Sequence, residues 1–227
     1  MNSGILYIVA TPIGNLGDIT NRAIETLKSV DFVYCEDTRD SSRIMAEFGI
    51  KTALKSYHQH SSARDILGIL KELEQGRNLA VVTDAGTPGI SDPGNLLIQE
   101  LLKRNPQIKI VPIPGASAVI AALSISGLPT DKFLFLGFPP HKNKRQKFFK
   151  ELALEKYTVV FYESGHRISK CLANLATVLE PSRPIVVCRE LTKKFETIYR
   201  GTIAEIISQK IDERGEFVLI IRTIYAK

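Results

Sequence analysis

Short apolar runs that alternate with segments of helical pattern restrict this chain to a small group of folds. Each run is continuously apolar rather than alternating between apolar and polar residues, which is typical of strands covered by helices on both faces. Strands are predicted at Ile5–Ala10, Phe32–Glu36, Leu79–Asp84, Ile108–Pro112, Phe133–Leu136, Thr158–Glu163, Ile185–Arg189 and Glu216–Arg222. Strands that alternate with helices predict an α/β fold with mostly parallel sheets.

Helices are predicted in the segments between these strands. They cover Ser61–Gln75, Asn95–Lys103, Ala116–Ser126, Lys144–Leu154 and Ile168–Leu179. The alternation breaks off near Pro112–Ser117, where two prolines and a glycine occur, and then starts again. We therefore predict two α/β lobes, residues 1–113 and 114–227, with a cleft between them of the kind in which ligands often bind.

Composition and charge limit the classes of protein into which this chain can fall. Its 227 residues can bury a sizeable core without help from metals or disulfides, and its three cysteines form no CxxC pair. His166 has no second histidine at ligand spacing, so no metal is predicted. The net charge of +6 indicates a polyanionic partner only weakly, because a mildly basic surface explains it better. No signal-peptide pattern or membrane-spanning run opens the sequence, so we predict a cytoplasmic protein without membrane contact.

Charged residues follow the second predicted strand, at the edge where parallel sheets bind ligands. The segment EDTRD, at positions 36–40, places three acids and an arginine there. One interpretation is a substrate or catalytic site. The other is structural: Asp37 or Thr38 caps the next helix, and Asp40 forms an exposed pair with Arg43. Both interpretations remain open from the sequence.

The loop that follows the third strand, Asp84–Gly94, is the most informative stretch of the chain. Its three glycines and two prolines make a rigid loop whose backbone can approach a ligand closely. The loop lacks the G-x-x-x-x-G-K-[ST] pattern, and no G-x-G-x-x-G follows the first strand, so a phosphate-gripping nucleotide site is disfavoured. A cofactor without phosphates, such as S-adenosylmethionine, suits this loop better.

A basic segment, HKNKRQK at positions 141–147, carries four definite positive charges and is followed by Phe148 and Phe149. This combination fits contact with the phosphates and bases of RNA. The alternative is an exposed helix start whose two phenylalanines enter the core. We expect the aromatic side chains to belong to the core, and the charges of Lys142, Lys144, Arg145 and Lys147 to be available to RNA.

Seven motifs in a fixed order make the chain resemble a known family. They are ATPIGNLGDIT, EDTRDSSR, TDAGTPGISDPG, PIPGASA, FYESGHR, RELTKKFE and GEFVLII. Together they resemble the ribosomal RNA small subunit methyltransferase I family, within the tetrapyrrole-methylase-like class. The resemblance covers nearly the whole chain. It implies a two-lobed homodimer with S-adenosylmethionine between the lobes, which methylates the 2′-hydroxyl of a cytidine in the decoding region of 16S rRNA.

The resemblance also implies which residues contact the cofactor. These are Pro12, Asp84, Ala85, Gly86, Ile90, Ser117, Ala118, Tyr162, Leu191, Glu216, Phe217 and Val218. The motif FYESGHR departs from the family pattern at Gly165, where relatives usually have proline. Relatives usually continue into a small helical domain after GEFVLII, and because this sequence ends at Lys227 we expect it to lack that domain.

Methyl transfer from a sulfonium is an in-line displacement, so the protein must align the acceptor oxygen and help remove its proton. Asp37 is the preferred base, with Arg39 gripping a phosphate or orienting the acid, and Glu36 is a neighbouring acid. Lys193 is a further candidate if neighbouring charge lowers its pKa. The alternatives are a tetrapyrrole C-methyltransferase and a non-catalytic RNA-binding module; a nucleotide hydrolase is disfavoured by the missing phosphate loop.

Overall fold

The computed structural model describes residues 3–58 and 61–222. It confirms the α/β class. The chain divides into two compact units, Met1–Ser117 and Ala118–Lys227, whereas the predicted division followed residue 113. Each unit contains a five-stranded sheet. No helix in the described part of the chain is both long and apolar enough to span a membrane.

The sheet of the first unit is entirely parallel. Its strands are β1 (Ile5–Val9), β2 (Phe32–Cys35), β3 (Ala53–Ser56), β4 (Leu79–Val81) and β5 (Lys109–Ile113), in the order β3-β2-β4-β1-β5. Its helices are α1 (Asn21–Ser29), α2 (Thr38–Glu47), α3 (Ala63–Glu74) and α4 (Asn95–Arg104). The central position of β4, between β1 and β2, brings the loops that follow these three strands together.

Two apolar clusters explain why the strands of this sheet are continuously apolar. On one face, Leu6 and Leu79 pack with residues of α3 and α4 such as Leu73. On the other face, Val33 and Ala80 belong to a cluster with residues of α1 and α2. The sequence missed β3, because this short edge strand contains Lys55 and is only partly buried.

The second unit differs from the prediction in the direction of its strands. Its strands are β6 (Phe133–Phe135), β7 (Thr158–Ser164), β8 (Pro184–Arg189), β9 (Thr197–Thr202) and β10 (Glu216–Ile221), in the order β6-β7-β10-β8-β9. Its helices are α5 (Ala118–Ser126), α6 (Arg145–Ala153), α7 (Ile168–Ala176) and α8 (Ile203–Ser208). Within this sheet β6 pairs with β7 in parallel, but β7–β10, β10–β8 and β8–β9 are antiparallel. The prediction of mostly parallel sheets is therefore wrong here, because a continuous apolar run reports burial of both faces and not strand direction.

Candidate functional site

The loops after β1 and β4 are joined by backbone hydrogen bonds at the carboxyl edge of the parallel sheet. The Thr11 amide donates to the Gly86 carbonyl at 2.8 Å, and the Gly86 amide donates back to the Thr11 carbonyl at 3.1 Å. The buried Thr11 hydroxyl also donates to the Thr83 carbonyl at 3.0 Å. These bonds hold the start of the Asp84–Gly94 loop in one conformation.

Gly86 adopts a backbone conformation that other residues rarely take, with φ of +87°. A Cβ added there would make only ordinary van der Waals contacts, at 3.5 Å to Ile13 Cγ2 and 3.9 Å to the Ala116 carbonyl oxygen, although Gly86 itself is buried. Asp84, Ala85 and Ile90 are exposed. The loop thus combines a fixed backbone with accessible groups, as a small-molecule site requires.

Carboxylates from the loops after β2 and β4 meet at the same edge. Asp84 Oδ1 accepts a hydrogen bond from the Asp37 amide at 3.3 Å. Burial, together with the charge of Asp84, raises the pKa of Glu36 above its ordinary value, and His58 opposes this. Burial also raises the pKa of Asp84. Glu36 and Asp84 are therefore better proton acceptors than ordinary carboxylates.

Asp37 is the N-cap of α2 and is also paired with Arg39. Its Oδ1 accepts from the Arg39 amide at 2.8 Å, and the Arg39 guanidinium contacts Oδ1 at 3.1 Å and Oδ2 at 2.6 Å. The hydrogen bonds from Arg39 lower the pKa of Asp37 to about 2. The structural interpretation of EDTRD is thus correct for Asp37, and Asp40 also forms its expected exposed pair with Arg43 at 3.0 Å. So low a pKa makes Asp37 a weak proton acceptor.

Most cofactor candidates of the second unit lie where β7 and β8 end and β10 begins. Tyr162 pairs directly with Val218 across the sheet, and Leu191 follows β8. The amide of Glu216 is held by a carboxylate oxygen of Glu190 at 3.0 Å. The Phe217 side chain lies inside the hydrophobic core, so only its backbone is available to a ligand, and the side chains of Val218 and Leu191 are also buried. Ala118, the first residue of α5, is half-buried.

The condition under which Lys193 could act as a base, a pKa lowered by neighbouring charge, is not met. Burial lowers this pKa, but hydrogen bonds to Glu216 at 2.8 Å and Glu190 at 3.0 Å outweigh that effect, so the pKa is raised. A lysine held between two carboxylates keeps its proton. Lys193 is therefore a structural cation that ties β10 to the segment after β8, and not a base.

The basic segment divides into exposed lysines and one buried arginine. Lys142, Lys144 and Lys147 are exposed, as predicted for groups available to RNA. Arg145 is only 5% exposed, and its Nη2 pairs with Glu163 Oε2 at 2.9 Å, so its predicted role in RNA contact is corrected to a structural one. Phe149 is buried in the core, as expected of the aromatic pair.

The second unit also contains a buried ion cluster that was not predicted from the sequence, which we define as Glu163, Arg145 and Arg167. The Glu163 side chain is fully buried, and its second oxygen, Oε1, pairs with Arg167 Nε at 2.9 Å. The same Oε1 accepts from the Ser164 amide at 3.0 Å. A glutamate that ends a continuously apolar strand was the available signal, because such a charge needs buried partners. Within the described residues, no group of three or more His, Cys, Asp or Glu side chains is arranged to hold a metal ion.

Comparison with known proteins defines the class to which this fold and site belong. A model of the family described as Tetrapyrrole (Corrin/Porphyrin) Methylases matches residues 5–207. Among solved structures, the methyltransferase CobJ has a TM-score of 0.72 at 19% identity, covering 99% of this chain and 96% of that one. Diphthine synthase also has a TM-score of 0.72, at 12% identity, covering 96% of this chain and 90% of that one. The chain belongs to the tetrapyrrole methylase family.

Curated relatives narrow this assignment. A protein of Synechocystis sp. is 48% identical over 221 residues, which cover 96% of this chain and 78% of the relative. A protein of Escherichia coli O157:H7 is 44% identical over 225 residues, which cover 97% of this chain and 78% of the relative. Both are named Ribosomal RNA small subunit methyltransferase I. Within the tetrapyrrole methylases, this chain belongs to the ribosomal RNA small subunit methyltransferase I family, which confirms the resemblance of its motifs.

Proposed function

We propose that this methyltransferase uses S-adenosylmethionine to methylate the 2′-hydroxyl of a cytidine in the decoding region of 16S rRNA. We further propose that it acts in the cytoplasm on the small ribosomal subunit, as a homodimer. The proposal rests on the Asp84–Gly94 loop, which we call the Gly86 loop, in a chain of this family. It is fixed to the loop after β1, and its Asp84 carboxylate lies close enough to Glu36 to affect the pKa of that residue. The names of the curated relatives support small-subunit rRNA as the substrate.

The residues at the Gly86 loop fit S-adenosylmethionine in three respects. The loop Asp84–Gly94 contains no lysine or arginine, and this cofactor has no phosphate to be gripped. Asp84, Ala85 and Ile90 are exposed, so the loop presents accessible groups to a ligand on both sides of the buried Gly86. The carboxylate of Asp84 offers negative charge to a sulfonium. The proposed contacts in the first unit are Pro12, Asp84, Ala85, Gly86, Ile90 and Ser117, and those in the second are Ala118, Tyr162, Leu191, Glu216, Val218 and the backbone of Phe217.

When bound, the cofactor supplies the methyl group and the leaving group, and the residues of this chain orient the acceptor and take its proton. The raised pKa of Glu36 makes it the better general base, since a base works best when its pKa approaches the working pH. Asp37 then orients Arg39 through their paired contacts. The Arg39 side chain is 85% exposed, so its remaining donors can contact an RNA phosphate.

Binding of the cofactor can be tested by its effect on thermal unfolding. S-adenosylmethionine is expected to raise the melting temperature of the wild-type protein, because it binds the folded state and not the unfolded chain. Gly86→Val should abolish this shift, since the new side chain crowds the loop against Ile13 and Ala116 and strains a backbone with φ of +87°. Differential scanning fluorimetry over a range of cofactor concentrations measures the shift.

Gly49→Val is the matched control. Gly49 also has a positive φ, +61°, and its added Cβ would meet nothing within 4 Å, so this variant carries backbone strain away from the Gly86 loop. Both variants should melt at a lower temperature than the wild type without ligand, because a left-handed residue other than glycine costs about 1–2 kcal/mol. Only Gly86→Val should lose the cofactor-induced shift. A normal shift in Gly86→Val would refute the assignment of this loop.

The role of the exposed lysines of the basic segment can be tested by the salt dependence of RNA binding. The triple variant Lys142→Ala, Lys144→Ala, Lys147→Ala is expected to bind RNA more weakly, and its affinity should depend less steeply on salt concentration. Each lost phosphate contact reduces the slope of log Kd against log salt by roughly 0.7–0.9, because fewer counterions are released. Fluorescence anisotropy at several salt concentrations measures the slope. Cofactor affinity should not change.

Lys28→Ala, on the surface of α1, provides the comparison for removal of an exposed lysine elsewhere. It should leave the salt dependence as in the wild type. If the triple variant also keeps the wild-type slope, the basic segment is a solvated surface without a role in RNA binding.

A further inference from the structure

An aromatic row lies at the carboxyl end of the parallel pair β6–β7. The ring of Tyr162 contacts two phenylalanine rings. The centroid of Phe135 lies 5.0 Å from it, and that of Phe138 lies 5.2 Å from it with the two planes tilted by 57°. Between the two phenylalanines, the Gly137 carbonyl accepts from the Tyr162 amide at 2.8 Å. Phe138 nevertheless remains 51% exposed, so part of its ring is accessible to a ligand.

The backbone that follows Phe138 is held by the buried ion cluster. Arg145 Nη1 donates to the Pro140 carbonyl at 3.2 Å, and Arg167 Nη1 donates to the Pro139 carbonyl at 3.5 Å. Both arginines are fixed in turn by Glu163. The backbone is therefore held on both sides of Phe138. Tyr162 holds the preceding residue, Gly137, and the ion cluster holds the two prolines that follow. An exposed ring on a fixed backbone loses little conformational entropy when a ligand stacks on it.

Positive charge lies next to this ring along the chain. Lys142 and Lys144 follow within the same loop, and both are exposed. A half-exposed aromatic ring followed by lysines is the combination with which proteins bind single-stranded nucleic acids, because the ring stacks on a base and the cations meet the phosphates. The lysines follow the ring by four and six residues along the chain, and this positive charge favours a polyanionic ligand.

We propose that Phe138 is a stacking platform for one unpaired nucleobase of the RNA substrate, with Lys142 and Lys144 near the adjoining phosphates. The inference rests on the proposed function, in which the substrate is RNA, and adds a binding residue to it. Because every base offers a π face, Phe138 positions the strand without selecting a base. The buried ion cluster holds the platform in place and does not itself touch the RNA.

The test is the affinity of the full chain for a short fluorescein-labelled single-stranded RNA. Phe138→Ala is expected to raise Kd by about 5- to 150-fold, the range found when a base-stacking aromatic is removed. The slope of log Kd against log salt should stay at the wild-type value, because no phosphate contact is lost. Phe138→Trp should restore binding, and the melting shift produced by S-adenosylmethionine should be unchanged in both variants.

Tyr157→Ala is the matched control. Tyr157 is also a half-exposed aromatic beside a lysine, since Lys132 lies 6.0 Å from its ring centroid, but it precedes β7 rather than following β6. It should bind RNA as the wild type does. Wild-type RNA affinity in Phe138→Ala, or a loss of affinity that Phe138→Trp does not restore, would overturn this inference and leave the proposed function standing. A wild-type protein that binds no RNA would overturn the proposed function and this inference with it.

Discussion

Glu36→Gln is expected to lower the single-turnover rate of methyl transfer by about 10²–10⁴-fold, the usual contribution of a general base. The reason is that burial and the charge of Asp84 raise the pKa of Glu36, whereas Arg39 lowers that of Asp37 to about 2. Rates are measured at saturating RNA and S-adenosylmethionine, so that differences in binding do not contribute. The wild-type rate should fall as the pH drops through the raised pKa of Glu36, because only the carboxylate accepts a proton. The Glu36→Gln variant should lack this fall.

Asp37→Asn is the neighbouring comparison. Asparagine caps helices as well as aspartate does, so α2 should be preserved while the carboxylate is lost. We expect a smaller loss of rate than in Glu36→Gln, together with weaker RNA binding as Arg39 loses its partner. A near wild-type rate in Glu36→Gln with a large loss in Asp37→Asn would return the role of base to Asp37.

Glu163→Gln is expected to lower the free energy of unfolding by about 3–5 kcal/mol, the cost of removing one partner from a buried ion pair. Glu163 is fully buried, and its partner Arg145 is nearly so, which leaves at least one guanidinium without its counter-charge. Urea denaturation followed by circular dichroism measures the change through the shift in midpoint. The Phe138 segment should also become more susceptible to proteolysis, because Arg145 and Arg167 hold its backbone.

Glu151→Gln is the matched control, because it removes a glutamate of the same unit whose side chain is exposed rather than buried. Glu151 pairs with Lys147 at 3.6 Å, and both side chains are mostly exposed, at 63% and 71% respectively. Such surface pairs contribute about 0–1 kcal/mol, so the midpoint should scarcely move. Equal effects of Glu163→Gln and Glu151→Gln would contradict the structural importance assigned to the buried ion cluster.

The sequence predicted those parts of the fold that depend on local pattern. The structure places all eight predicted apolar strands in its two sheets, the last of them as β10. The chemically unusual loops also fall at strand ends, as at Gly86 after β4. The strands β3 and β9 escaped prediction because they are edge strands with partly exposed, mixed sequences, including Lys55 and Arg200.

What the sequence could not predict depends on contacts between residues far apart along the chain. The direction of β10, inserted antiparallel between β7 and β8, leaves no trace in its apolar pattern. Arg145 resembled its lysine neighbours until the structure placed Glu163, 18 residues away, against it. The proton affinity of Lys193 likewise depends on Glu216, 23 residues away. The sequence shows which side chains carry charge, but only the fold shows which other charges lie around each of them.

The methylated atom and nucleotide can be identified directly by incubating the protein with methyl-labelled S-adenosylmethionine and small ribosomal subunits that lack the modification. The 16S rRNA is then digested with alkali, which cannot cleave next to a 2′-O-methylated ribose, and the labelled nucleotide is identified and mapped. We expect label in an alkali-resistant dinucleotide whose first residue is 2′-O-methylcytidine, in the decoding region. Label on a base, or no label in RNA, would contradict the proposed reaction.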